Sequence, residues 1–136
     1  MGAQHGKTFD VVNPATQDVI AQVPDGGPAE AHAAVEAAAD AFLCWSQLPG
    51  MERGRLLTKT AQLMLERCDD LARLVTQENG KPLEEARKEV AFAVGYFRWF
   101  AEEARRVYGE VVPVPVPLKR LWVLKQPLGV VAAITP

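Results

Sequence analysis

Few side chains in this 136-residue sequence could act as nucleophiles or metal ligands. There are two cysteines, Cys44 and Cys68, and two histidines, His5 and His32. A catalytic thiol needs a nearby base or a helix N-terminus to lower its pKa. Cys68 lies just before a predicted helix start, which leaves that role open, but His5 is in the N-terminal tail and His32 in an alanine-rich helix. The pattern favours two free structural thiols in a reducing compartment, and it predicts no catalytic residue and no metal site.

The last twelve residues carry the strongest indication of function. After Lys125-Gln126-Pro127, the run from Val130 to Ile134 contains almost no polar side chain. Such a run is typical of a strand covered on both faces in a parallel α/β sheet. In open α/β sheets, ligands bind just beyond the carboxyl ends of the strands. The sequence ends where this predicted strand ends, so we expect it to be the front part of a larger enzyme.

Composition and charge exclude several classes of function. A formal charge of −2 and a pI near 5.7 do not favour nucleic acid or an anionic membrane as partner. No segment approaches the roughly 20 apolar residues that a membrane helix needs. Residues 1–8 resemble neither a signal peptide nor a transit peptide, so a cytoplasmic location is expected. Nearby acids offset the basic residues of the second predicted helix, which indicates a solvated face: Arg53, Arg55, Lys59 and Arg67.

The elements that would position a site are a hairpin and four helices. Residues 9–12 and 19–23 read as strands, and the turn chemistry of residues 13–18 joins them. Helices are predicted from residue 28 to about 46, from 52 to about 67, from an Asp69 cap to Asn79-Gly80, and from 82 to about 108.

Helical spacing assigns an inward face to each helix. The aromatic residues of the fourth helix cover more than one face, which predicts burial on two sides, against a part of the protein outside this sequence: Phe92, Tyr96, Phe97, Trp99 and Phe100. The predicted inward positions are Val35, Ala38, Phe42 and Trp45; Leu56, Thr60, Leu63 and Met64; Leu71, Leu74 and Val75; and Leu83, Ala86, Val90, Val94, Phe97, Ala101, Ala104 and Tyr108.

The chain changes character after Gly109. Residues 111–117 alternate valine with proline, which cannot donate to a sheet ladder, so they predict an extended edge or linker. Residues 118–126 read as a strand that is apolar on both faces. Such an edge invites pairing with another chain or domain.

Several motifs, in order along nearly the whole chain, resemble the N-terminal part of the NAD(P)-dependent aldehyde dehydrogenases. Residues 99–109 and 119–127 are similar to the succinate-semialdehyde dehydrogenases and to their glutarate-semialdehyde relatives. The motifs shared with the family are Asn13-Pro14-Ala15-Thr16, Ala34-Val35-Glu36-Ala37-Ala38, Trp45, Glu52-Arg53, Glu78-Asn79-Gly80-Lys81-Pro82 and Gly129-Val130-Val131-Ala132-Ala133-Ile134-Thr135-Pro136.

The resemblance implies an α/β fold class. Residues 1–108 are expected to form the hairpin and the helical portion of a cofactor-binding domain. Residues 109–127 match the β-arm through which the family's subunits pair, which implies a homo-oligomer. Residues 128–136 are expected to form the first strand of a Rossmann-like dinucleotide-binding sheet.

The resemblance also implies a reaction. In the family a cysteine thiolate attacks the aldehyde, hydride passes to NAD or NADP, and a glutamate activates water to release the acid. Neither Cys44 nor Cys68 lies in the family's catalytic motif, so the chain alone is predicted to be inactive toward a semialdehyde. Ile134, Thr135 and Pro136 match the strand end that touches the cofactor's ribose region, and the alternative is that they merely end a core strand.

A different class of function stays open beside this one. The chain could be a stand-alone, non-catalytic helical module whose aromatic helix and edge strand bind a protein partner. Intact mass and activity with a semialdehyde separate these two interpretations.

Overall fold

Two small strand pairs flank four helices in this computed structural model, which describes residues 6–134. The predicted order of elements is confirmed as far as the second strand pair. The elements are β1 (Thr8–Val12), β2 (Val19–Pro24), α1 (Pro28–Gln47), α2 (Gly50–Glu66), α3 (Cys68–Asn79), α4 (Leu83–Glu103), β3 (Glu110–Val112) and β4 (Leu121–Val123).

The β1–β2 hairpin is antiparallel, with an irregularity between Val11 and Val12. Asn13 organises its turn: the Asn13 side-chain oxygen accepts the Ala15 N–H at 2.9 Å, and the Asn13 N–H donates to the Asp18 carbonyl at 2.9 Å. Asparagine suits this position because its short side chain bonds the backbone two residues on. The hairpin predicted from the sequence is therefore confirmed.

The core lies where α2 and α3 pack on α4. Ala86, Val90, Val94 and Ala101 are buried along α4 as predicted. The prediction that α4 extends to residue 108 is wrong, because the helix ends at Glu103 and Tyr108 is exposed. The N–H groups of Arg105 and Arg106 bond the carbonyls three residues back, which tightens the last turn and directs the chain toward β3.

The prediction of which residues of α2 face inward is largely wrong. Gly54 and Ala61 are the buried residues of α2, whereas Leu56, Thr60 and Leu63 are exposed. α2 approaches the α4 backbone so closely that only small residues fit between the two helices. The large apolar side chains of α2 therefore lie on the flanks of this contact.

α3 follows the prediction at its end and departs from it at its start. Arg67 occupies the N-cap position, and Asp69 lies in the first turn instead of capping the helix. Leu74 is exposed, and Ala72 takes its place in the core. Gly80 ends the helix at φ 79°, with its N–H on the Thr76 carbonyl at 2.9 Å, which confirms the left-handed cap.

α1 has the predicted bounds to within a residue but contains no buried residue. Val35, Ala38 and Trp45 are exposed, and Phe42 is half-buried. Among the described residues, short stretches near residues 126 and 130 lie along the predicted inward face, and Arg53 and Val107 approach its C-terminal end. The apolar stripe of α1 is therefore mostly uncovered.

The C-terminal region forms less strand than predicted. β3 and β4 pair antiparallel, but regular strand covers only Leu121–Val123 of the predicted residues 118–126. The strand predicted at 130–134 is not formed, and residues 124–134 have no regular secondary structure. A parallel strand exists through hydrogen bonds to its neighbours, and nothing within residues 6–134 pairs with this segment.

A cross-helix ion pair ties α3 to α4. Arg87 Nε lies 2.9 Å from Asp69 Oδ1, and Arg87 also bonds Glu84. This hydrogen bond, and then the charge of Arg87, hold the pKa of Asp69 below its ordinary value. The pair's contribution is therefore present above the unfolded-state pKa and is lost as the pH falls through the folded-state pKa.

We expect Asp69→Asn to flatten the acid dependence of stability. Between about pH 5 and about pH 2, the urea midpoint of the unsubstituted chain should fall more steeply than that of the variant. Asp70→Asn is the matched control, because Asp70 forms no ion pair with any residue of the described range. Parallel curves for the unsubstituted chain and Asp69→Asn would contradict the assignment.

Candidate functional site

The segment at residues 129–131 lies along the C-terminal half of α1 and forms a groove with it. The groove has a volume of about 560 Å³, and its lining is apolar apart from the thiol of Cys44. It offers hydrophobic contact but no acid–base pair. The lining residues are Ala38, Ala41, Phe42, Cys44, Trp45, Leu48, Gly129, Val130 and Val131.

The predicted cofactor-binding residues follow this groove. Ile134 is 98% exposed, and it contacts no buried cluster within the described range. Thr135 and Pro136 lie outside the described residues. The structure thus leaves the side chain of Ile134 open to a ligand, and the assignment of the three residues stays a prediction.

The cysteines are placed apart from any described base. Cys44 is exposed on α1, and His32 precedes it by twelve residues on the same helix, about 18 Å along its axis. Cys68 is the first residue of α3, and its side chain packs against the apolar cluster of Ala72, Ala86 and Val90. The environment of Cys68 suits packing, Cys44 is exposed beside the apolar groove, and His5 lies outside the described residues.

Residues 6–134 contain neither a metal-binding cluster nor a membrane-spanning helix. They contain no group of three or more His, Cys, Asp or Glu placed to hold a metal ion. No helix in that range is both long enough and apolar enough to cross a membrane.

The aromatic face of α4, formed by Phe92, Tyr96, Trp99 and Phe100, is a second apolar surface on the helices. Phe92 and Tyr96 meet edge to face with ring centroids 5.0 Å apart, and Tyr96 and Phe100 are stacked at 6.4 Å. Gly95 opens a groove of about 480 Å³ between these rings. The prediction that α4 is covered on two sides is not met within the described part of the chain, because all four side chains are exposed.

Two cations converge on a smaller recess that the sequence did not indicate. Arg53 and Lys125 line it together with Phe42, Trp45 and Pro127, and its volume is about 370 Å³. The sequence predicts a solvated face for Arg53, but Arg53 is half-buried and donates to the Leu48 carbonyl. The two cations are 72 residues apart, so only the folded chain reveals their proximity.

Comparison with known proteins places these features in a family. The model of the aldehyde dehydrogenase family matches residues 1–136. The chain is 52% identical over its whole length to glutarate-semialdehyde dehydrogenase of Pseudomonas putida, of which it covers 28%. It is 47% identical to the NADP(+) succinate-semialdehyde dehydrogenase of Escherichia coli, again over 100% of this chain and 28% of the relative.

Structural comparison agrees. The crystal structure of succinate-semialdehyde dehydrogenase from Burkholderia pseudomallei superposes with a TM-score of 0.90 at 41% identity. The match covers 95% of this chain and 27% of that one, so this chain spans about a quarter of the length of the relatives that it matches. The hairpin, the four helices and the second strand pair are therefore a part of a known α/β fold, and the chain belongs to the aldehyde dehydrogenase family.

Proposed function

We propose that this chain is the N-terminal part of an NAD(P)-dependent oxidoreductase that oxidises succinate semialdehyde to its carboxylic acid. The observation that supports this most is the identity of about 50%, across all 136 residues, to enzymes named for semialdehyde oxidation. The relatives are named for glutarate and succinate semialdehydes, so the substrate class is an aldehyde that carries a second acid group. A cytoplasmic location stays a prediction from the sequence.

The proposed roles of three segments follow their order in the sequence. Residues 1–108 form the hairpin and helical scaffold, 109–127 the pairing arm, and 128–136 the start of the dinucleotide-binding sheet. The exposed apolar side chains of β4, Leu121 and Trp122, support a homo-oligomer joined through this arm.

The described residues offer a partial fit to a dinucleotide. The side chain of Ile134 is open, and no hydrogen bond between described backbone groups uses residues 130–134. Free backbone groups and an aliphatic side chain suit contact with a ribose. NAD(P)+ supplies the hydride acceptor in this chemistry, while Ile134, with Thr135 and Pro136, is proposed to position it.

A chimera tests this function. We expect that replacing the matching segment of the P. putida enzyme by this chain preserves semialdehyde-dependent reduction of NAD(P)+. A second chimera that also carries Gln77→Glu, at an exposed position of α3, is the matched control. Its activity should equal that of the first chimera, because the change lies on the surface. A soluble, assembled chimera without activity would contradict the proposal.

The 136-residue chain by itself should be inactive. Neither cysteine lies beside a described histidine, and the family's catalytic cysteine motif is not in the sequence. With succinate semialdehyde and either NAD+ or NADP+, the formation of reduced cofactor should not exceed the blank. Turnover that disappears in Cys44→Ser or Cys68→Ser would overturn this expectation.

The alternative, a non-catalytic helical interaction module, is favoured by one observation, the exposed aromatic face of α4. The same chimera separates the two, because an interaction module would not restore catalysis when built into a dehydrogenase.

A further inference from the structure

The recess between α1, the start of α2 and the segment that follows β4 has the dimensions of a small-molecule site. Its volume of about 370 Å³ falls within the range of roughly 300–1,000 Å³ typical of ligand pockets. Phe42, Trp45, Val107 and Pro127 supply apolar walls. Such walls suit the hydrocarbon body of a ligand.

The charges of the recess are of one sign. Arg53 and Lys125 are both in the lining, which contains no acidic residue among those described. Neither cation forms an ion pair with a carboxylate of residues 6–134, whereas Arg55, Arg87 and Arg106 all do. Two cations that line one recess without an anion would both be attracted to an anion bound there.

The unpaired positive charge of Arg53 is less stable than that of an exposed arginine, because Arg53 is half-buried. One of its N–H groups donates to the Leu48 carbonyl, and a guanidinium has five N–H donors in a fixed fork. Partial burial weakens hydration of the remaining donors, so a compensating anion in the recess would stabilise the charge. A carboxylate matches the fork in a bidentate arrangement.

We propose that this recess binds a small organic monocarboxylate, with the carboxylate on Arg53 and Lys125 and an aliphatic or aromatic body against Phe42 and Trp45. The apolar walls favour this ligand over inorganic phosphate, which has no body to place there. The inference is independent of the proposed dehydrogenase function, because it depends only on residues of the recess.

Trp45 provides a direct reporter of occupancy. The three tryptophans of the chain are at positions 45, 99 and 122. A chain with Trp99→Phe and Trp122→Phe therefore reports on Trp45 alone, which lines both this recess and the groove beside residues 129–131, and the Lys125→Gln comparison distinguishes the two. Titration with hexanoate at low ionic strength should change the Trp45 fluorescence in a saturable manner, and hexanol, of similar shape but uncharged, should bind about tenfold more weakly.

Substitutions in the reporter chain decide whether the cations are responsible. Lys125→Gln should weaken hexanoate binding several-fold without affecting folding, since Lys125 is exposed, and Arg53→Gln should weaken it about tenfold. Lys119→Gln removes the same charge from an exposed position outside the recess and should leave binding unchanged. Hexanoate binding that is absent, equalled by hexanol or phosphate, or insensitive to Lys125→Gln would overturn the proposal.

Discussion

Replacing Gly54 with valine should destabilise the chain by about 3 kcal/mol, the upper range for overpacking a tight contact. A Cβ atom built on Gly54 lies 2.6 Å from the carbonyl oxygen of Ala101, a distance at which the backbone must move. One turn earlier, a Cβ on Gly50 lies 2.2 Å from the carbonyl oxygen of Ala104. Any larger side chain at Gly54 therefore pushes α2 away from α4 along the most extensive helix contact of the fold.

Gly95 offers the matched control, because it is also a helical glycine. A Cβ there meets nothing within 4 Å, so Gly95→Ala should stabilise the chain by about 0.5–1 kcal/mol through helix propensity and reduced freedom of the unfolded state. Urea unfolding followed by circular dichroism measures both variants. If Gly54→Val unfolds at the same urea concentration as the unsubstituted chain, α2 and α4 are not in close contact.

The same contact explains which parts of the fold the sequence could predict. The Asn13 turn and the Gly80 cap depend on local chemistry, and these two predictions are confirmed. The inward face of α2 depends on how closely another helix approaches. Periodicity selects large apolar residues such as Leu63, whereas the close approach places Gly54 and Ala61 inside.

Elements that depend on distant partners were predicted less well. The run at 130–134 has the composition of a buried parallel strand, but the strand does not form among the described residues, which supply no neighbouring strand. The recess at Arg53 and Lys125 was missed for a related reason, since folding alone brings these positions together. The predicted contact of Ile134 with a cofactor depends likewise on atoms outside the described residues.

The isolated chain should self-associate at micromolar concentrations, because many of its large apolar side chains are exposed and its buried residues are small. The buried hydrophobic residues are alanines and valines, and no large side chain is fully buried among those described. By contrast, Phe92 is 68% exposed and Trp99 64% exposed on the aromatic face of α4. Contiguous exposed patches of this kind drive association or aggregation.

A substitution on the aromatic face of α4 tests whether this face causes the expected association. Trp99→Glu should shift the average mass toward the monomer across a dilution series of about 1–100 µM, because a carboxylate cannot be buried there without a partner. Gln77→Glu adds the same charge at an exposed position on α3 and should leave association unchanged. Sedimentation and light scattering measure the mass, and quenching of Trp122 reports whether β4 is covered as well. A compact monomer at every concentration, with Trp122 shielded from quencher, would show that the chain covers its apolar faces by itself.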